Sequence, residues 1–203
     1  YYYMFARSIL PAVVSEPGKL IRFCVPSGNF GNLTAGVMAW KWGVEVDGFV
    51  AATNANDVVP EYLKTGLFTA RPSKRTYSNA MDVGNPSNFE RLKAIFGDSR
   101  EAMASSIHGE VITDEETLDE IRRVHAGTGK FVCPHTAVGI RAARRCLERS
   151  TGGRHIIALA TAHPAKFTEI MEKATGEQPE LPERLREALS KPKRSVELDP
   201  TRS

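Results

Sequence analysis

The run Cys24-Val25-Pro26-Ser27-Gly28-Asn29-Phe30-Gly31-Asn32 has the residue types and spacing to bind an anion. Gly28 and Gly31 can adopt backbone angles closed to residues with a Cβ, so consecutive N–H groups can converge on one point. An apolar stretch at 20–25 precedes the run, and Leu33, Val37, Met38 and Trp40 follow it with a helical apolar face. A helix starting there has unpaired N–H groups in its first turn and about half a positive charge at that end. A phosphate group is the ligand such a loop suits. The same residues also fit an ordinary strand-to-helix turn with Asn32 as N-cap, and the loop alone does not separate the two readings.

Two more clusters of small polar groups, Cys133-Pro134-His135-Thr136 and Thr161-Ala162-His163-Pro164, each follow a short apolar run. Ligands of open parallel sheets sit at the carboxyl ends of the strands, so the three loops are expected to converge on one site. His135 and His163 read as turn residues beside proline, with proton transfer as the alternative. Asn54, Asn56 and Asp57 are expected to cap the helix after them. Asn88 is expected to start another, with Glu90 and Arg91 free to pair. Cys24, Cys133 and Cys146 are widely spaced in apolar contexts and read as reduced core thiols. No metal-ligand spacing is present, and no metal is expected.

The elements that must position these residues follow from periodicity. Strands are expected at 20–25, 46–53, 110–112, 131–133 and 155–160. Helices are expected after residue 31, around Tyr62 and Leu63 with a stop at Gly66, at 87–96 and 99–106, from Asp114, at 137–147, and ending near Gly176. The segment 71–86 is polar and without a period, the kind of long loop that is functional or disordered. Strands alternating with helices predict an α/β fold, a mainly parallel twisted sheet with helices on both faces. Residues 1–176 read as one domain portion, and 177–203 as a Pro- and charge-rich extension with a short helix near 184–189.

The formal charge of +3 is small for 203 residues. Arg141, Arg144 and Arg145 read as a solvated helix face, and Lys191, Lys193 and Arg194 as a solvated tail, so no nucleic-acid partner is expected. No run in this chain approaches the roughly 20 apolar residues that span a bilayer, and a cytoplasmic setting is the expectation. The opening Tyr1-Tyr2-Tyr3-Met4-Phe5 is mid-helix in character, so the chain is expected to be a piece of something longer. A dinucleotide-binding oxidoreductase is disfavoured, because there is no second glycine-rich turn and no acidic residue placed for a ribose after the second strand.

Five blocks, taken together and in order, resemble the threonine synthase family: Val25 to Asn32, Ala52-Thr53-Asn54-Ala55-Asn56-Asp57, Met81-Asp82 through Pro86-Ser87-Asn88-Phe89-Glu90-Arg91, Pro134-His135-Thr136-Ala137, and Thr161-Ala162-His163-Pro164-Ala165-Lys166-Phe167. The resemblance covers about residues 20–170. It implies the large-domain portion of a tryptophan synthase β-subunit-like, fold type II enzyme that uses pyridoxal 5′-phosphate (PLP). Such an enzyme is a lyase of threonine biosynthesis, converting O-phospho-L-homoserine and water to L-threonine and phosphate by γ-elimination and β-addition of water. By the same resemblance, the backbone N–H groups of Gly28, Asn29, Phe30, Gly31 and Asn32 hold the cofactor phosphate, with Ser27 bordering the loop. The Thr161 hydroxyl would meet the pyridine nitrogen, unless Thr161 instead caps the helix after Pro164. Lys166 would contact the substrate phosphate or else be an ordinary exposed lysine.

The family's Schiff-base lysine lies in its N-terminal half, within a Phe-Lys-Asp segment that this chain lacks. Lys41, Lys64, Lys130 and Lys166 sit in other contexts. The expectation is therefore a C-terminal part that holds most of the cradle but no catalytic residue. It would be inactive alone and would have the missing N-terminal half as its partner. Another fold type II lyase, such as a serine or threonine dehydratase, and a catalytically silent PLP-binding half-protein are the alternatives. The oligomeric state is left open.

Overall fold

A computed structural model describes residues 1–13, 20–150 and 154–197. Four strands, β1 (Leu20–Pro26), β2 (Gly48–Thr53), β3 (Ile107–Val111) and β4 (Arg154–Ala158), form one sheet in the order β3-β2-β1-β4. Every neighbouring pair is parallel: Phe23 lies opposite Phe49 on one side and Ile157 on the other, and Phe49 lies opposite Ile107. The helices are α1 (Tyr2–Val13), α2 (Gly31–Lys41), α3 (Val58–Thr65), α4 (Phe89–Ile95), α5 (Arg100–Ser106), α6 (Asp114–Thr128), α7 (Pro134–Glu148), α8 (Thr168–Thr175) and α9 (Glu183–Ser190). This is the α/β architecture expected from the alternation of strands and helices.

Alternation along the strands divides the core into two layers. Phe23, Val25, Phe49 and Ala51 pack with Tyr3 of α1, Leu33 and Val37 of α2, and α3, α4 and α5. Cys24, Val50 and Ala52 face Val138, Ala142 and Cys146 of α7. Both faces are covered, so the central strands carry almost no polar side chain, as a buried parallel sheet requires. A third cluster, including Ile121, Ala137 and Met171, ties α6, α7 and α8 together.

Local signals explain most of the boundaries. Thr113 and Glu116 form a reciprocal capping box at the start of α6. Gly66, Gly129 and Gly176 close α3, α6 and α8 in the left-handed conformation. Pro134 opens α7 three residues earlier than expected, because its fixed φ suits a first helical position.

The expected strand at 131–133 does not form. Both sides of β1 are taken by β2 and β4, and the 131–133 run packs against helices instead. Phe131 stacks on His125 of α6, with ring centroids 4.3 Å apart, and Cys133 becomes the N-cap of α7. The strand expected at 110–112 starts at Ile107, directly out of α5.

No side chain of α9 is buried. No helix among the described residues is long and apolar enough to cross a membrane.

Candidate functional site

β1 delivers the glycine loop to the carboxyl edge of the sheet. Ser27 N–H donates to Ala52 O at 2.8 Å, and the Ser27 hydroxyl donates to Val25 O at 2.8 Å, which locks the loop to the ends of β1 and β2. Phe30, the residue before α2, has φ 61°, a left-handed angle rare outside glycine. Its buried ring joins the core, which holds the backbone in that state at a cost of about 1–3 kcal/mol. Among the described residues, the N–H groups of Gly28, Asn29, Phe30 and Gly31 donate to no protein acceptor. Four neighbouring free donors at the positive end of a helix form a nest for an anion. The expected N-cap at Asn32 is not seen: the cap position is Phe30, without a side-chain hydrogen bond.

A cavity of about 390 Å³ opens over this loop. Its wall includes Ser27 to Asn32, Ala80 and Met81, His135, and Thr161, Ala162, Lys166 and Phe167. The three expected loops thus converge on one space. Thr161 and Lys166 are both exposed on its border. Thr161 caps nothing: the short turn Pro164–Lys166 is capped by His163, whose Nδ1 accepts from Ala165 N–H at 3.2 Å. The Thr161 hydroxyl has no bond within the described protein, while its N–H donates to Thr136 Oγ1 at 3.3 Å.

His135 is not a turn residue. It lies in the first turn of α7, nearly fully buried, and its Nε2 accepts from Ala80 N–H at 3.1 Å. That bond presses the segment 78–82 against the cavity.

The segment 71–86, without period in the sequence, is fastened by a polar network that local capping rules did not reveal. Asp82 Oδ1 accepts from Asn54 Nδ2 (2.9 Å), Asn56 Nδ2 (3.2 Å) and the Thr76 hydroxyl (2.7 Å), and Oδ2 accepts from Thr76 N–H (2.9 Å). Asn56 also clasps Lys74 through both its amide donor and its acceptor. Asn54 and Asn56 therefore anchor this segment rather than capping α3. Asp57 occupies the cap position without a capping bond and pairs with Arg71 at 2.8 Å. The consequence reaches the glycine loop, because a Cβ on Gly28 would lie 2.6 Å from Met81 Cα. Nearby, Glu90 pairs with Lys93 rather than Arg91, and Arg91 donates to Asn88 Oδ1 at 2.8 Å.

Arg141, Arg144 and Arg145 are not a solvated face either. Arg144 pairs at 2.7 Å with Glu120, whose side chain is 1% exposed, Arg145 pairs with Glu116 and Glu110, and Arg141 lies 3.5 Å from Glu116. This network staples α7 to α6 and β3. His108, Glu110 and Cys146 come within 4.8 Å of one another, but their chemistry is that of the same ion-pair network. Burial works against the Glu110 charge, yet His108, Arg149 and Arg145 outweigh it and hold the carboxyl below its usual range. All three cysteines are free and buried.

Fold and site together define a parallel α/β domain with a helix-terminus anion cradle at the carboxyl edge of its sheet. The comparisons narrow this class. Residues 136–202 match the family model described as threonine synthase, C-terminal. The threonine synthase of Haemophilus influenzae is 39% identical over 98% of the chain, which spans 45% of that protein. The crystal structure of the Escherichia coli threonine synthase superposes with a TM-score of 0.78 at 37% identity, covering 89% of this chain and 42% of that one. A PLP-bound threonine synthase from Brucella melitensis superposes equally well at 32% identity, covering 91% of this chain and 43% of that one. The chain belongs with the threonine synthases, a fold type II family, and spans less than half the length of these relatives.

Proposed function

We propose that this chain forms the phosphate cradle and one wall of the PLP site of a threonine synthase acting on O-phospho-L-homoserine. The observation that carries the reading is the set of unsatisfied N–H groups from Gly28 to Gly31 beneath a cavity bordered by Thr161 and Lys166. The residues present fit the group: the cradle offers donors, a helix N-terminus and no acidic side chain, and the cavity carries a hydroxyl and a cation on its border. When bound, PLP supplies an electron sink for charge developing on the substrate carbons. In this reading the N–H groups of Gly28 to Asn32 bind and orient its phosphate, with Ser27 bordering the loop. The Thr161 hydroxyl donates to an unprotonated pyridine nitrogen, which a carboxylate would not do. Lys166 attracts the substrate phosphate as a point charge.

The lysine that holds the cofactor aldehyde lies outside this chain in the same reading. The chain by itself binds but does not turn over, and the remaining portion found in its relatives is its partner. A cytoplasmic setting and a boundary after residue 176 belong to the same proposal.

Pyridoxamine 5′-phosphate tests the cradle directly, because it lacks the aldehyde and needs no lysine. Calorimetric titration should show binding that unphosphorylated pyridoxamine loses by at least tenfold. Thr161→Val should weaken it by about 0.5–1.5 kcal/mol, one hydrogen bond, with little change in stability. Equal binding of the two ligands would overturn the assignment.

A further inference from the structure

Beneath the cavity, Thr136 brings both its N–H and its hydroxyl to one sulfur. Cys133 is the N-cap of α7 and is 1% exposed. Thr136 N–H donates to its Sγ at 3.4 Å. The Thr136 hydroxyl lies 3.1 Å from the same sulfur, where either group can donate, and its oxygen also accepts from Thr161 N–H. The bonds of His135 fix its tautomer. Its Nε2 accepts from Ala80 N–H, so the ring proton sits on Nδ1, which is buried with no partner at ordinary hydrogen-bond distance. A sulfur that Thr136 meets with an N–H and a hydroxyl at the positive end of a 15-residue helix is favoured as an anion.

We infer that Cys133 is a resident thiolate and the site at which this protein is modified by small soft carbon electrophiles. The other two thiols have the opposite surroundings. Cys24 donates its proton to Gly139 O at 3.1 Å. Burial and then Cys146 push its pKa well up. Burial and then Glu110 push Cys146 up to about 11. For Cys133 burial also raises the pKa, but His135 and Thr136 outweigh it and bring the thiol down to about 7. The inference does not depend on any cofactor.

Exposure alone ranks the thiols differently, since Cys146 at 8% is the most accessible, ahead of Cys133 at 1% and Cys24 at 0%. Iodoacetamide at pH 7.5 separates the two rankings. The sulfur attacks the methylene carbon, the S–C bond forms, and iodide leaves with the C–I electron pair. In the intact, unliganded protein, peptide mass mapping should show Cys133 labelled about 40-fold faster than Cys146. Thiolate fractions alone favour it by roughly 2,000-fold, and the weaker nucleophilicity of a low-pKa thiolate removes roughly 60-fold of that. Thr136→Val should cut this ratio about tenfold by removing one donor, and Thr136→Ser should restore it. The urea-unfolded chain supplies the reference in which the three thiols react alike. Labelling of Cys146 first, equal native rates for all three, or an unchanged ratio in Thr136→Val would each overturn the inference.

Discussion

Gly28→Ala is the sharpest test of how the cradle is built. A Cβ there would lie 2.6 Å from Met81 Cα and 3.1 Å from both Ala80 O and the Met81 carbonyl carbon. All three are backbone atoms of a segment pinned by Asp82 and His135, so about 1 Å of displacement must be absorbed by the segment or the glycine loop. Overpacking of this kind costs about 1–3 kcal/mol. For a chain of this size that lowers the melting temperature by about 2–12 °C. If the loop moves, two or more charge-assisted bonds to a phosphate are misaligned, at about 1.5–3 kcal/mol each, so pyridoxamine 5′-phosphate should bind at least tenfold more weakly. Gly31→Ala is the comparison: its Cβ meets only the Asn88 side chain, at 3.3 Å. That amide can swing away, so stability should change by less than about 1 kcal/mol. Thermal melts and calorimetric titrations of both variants measure the difference. Because the clash is with backbone, adding Met81→Ala should not rescue Gly28→Ala. A rescue, or a Gly28→Ala melt matching wild type, would refute the packing argument.

Two further outcomes follow. Asp82→Ala removes the acceptor that Asn54, Asn56 and Thr76 share and leaves Thr76 N–H without its partner, which should cost about 1–3 kcal/mol and speed hydrogen exchange across 74–82. Unchanged exchange there would show that the network is not what fastens the segment. The thiols give a pH signature of opposite signs. Cys133, lowered from 9.0 to about 7, contributes stability that is full above about pH 9 and is lost as pH falls through 7. Two pKa units correspond to at most about 2–3 kcal/mol. Cys146, raised to about 11, contributes stability below pH 9 that is lost as pH rises toward 11. Denaturant titrations of wild type against Cys133→Ser and Cys146→Ser at pH 7, 9 and 10 should show the first difference growing from 7 to 9 and the second shrinking above 9. Flat differences would contradict both assignments.

What the sequence disclosed divides by the range of the interactions. The glycine loop was legible because its chemistry is local: β1, the loop and α2 are contiguous, and the free N–H groups are a property of a helix start. The convergence of Thr161 and Lys166 on that loop was legible from the rule that parallel strands end on one edge. The errors came where a distant partner overrode a local preference. Residues 131–133 have the composition of a strand but no free edge of β1 to join. Asn54 and Asn56 have the composition of caps, yet partners 22 to 28 residues on, at Thr76 and Asp82, take their amides. Arg141, Arg144 and Arg145 look solvated until Glu110, Glu116 and Glu120 are placed opposite them. A signal was present there, since three glutamates and three arginines repeat at helical or strand spacing on segments that must pack together. Gly28 and Gly31 were read for backbone angles closed to residues with a Cβ, whereas neither takes a left-handed φ, and Gly28 instead leaves room for the backbone of Met81.

The order β3-β2-β1-β4 also sets a timetable. Leu20 of β1 pairs with Arg154 of β4, so these partners are 134 residues apart in the chain. At the usual elongation rate of about 5–20 residues per second, one edge of β1 stays open for roughly 7–27 seconds of synthesis. β2 follows β1 within seconds, but the strand that carries the glycine loop is flanked on both sides only once β4 has left the ribosome. During that interval β1 is the segment most in need of protection from wrong pairing, and the cradle on its end is among the last parts of the molecule to become rigid.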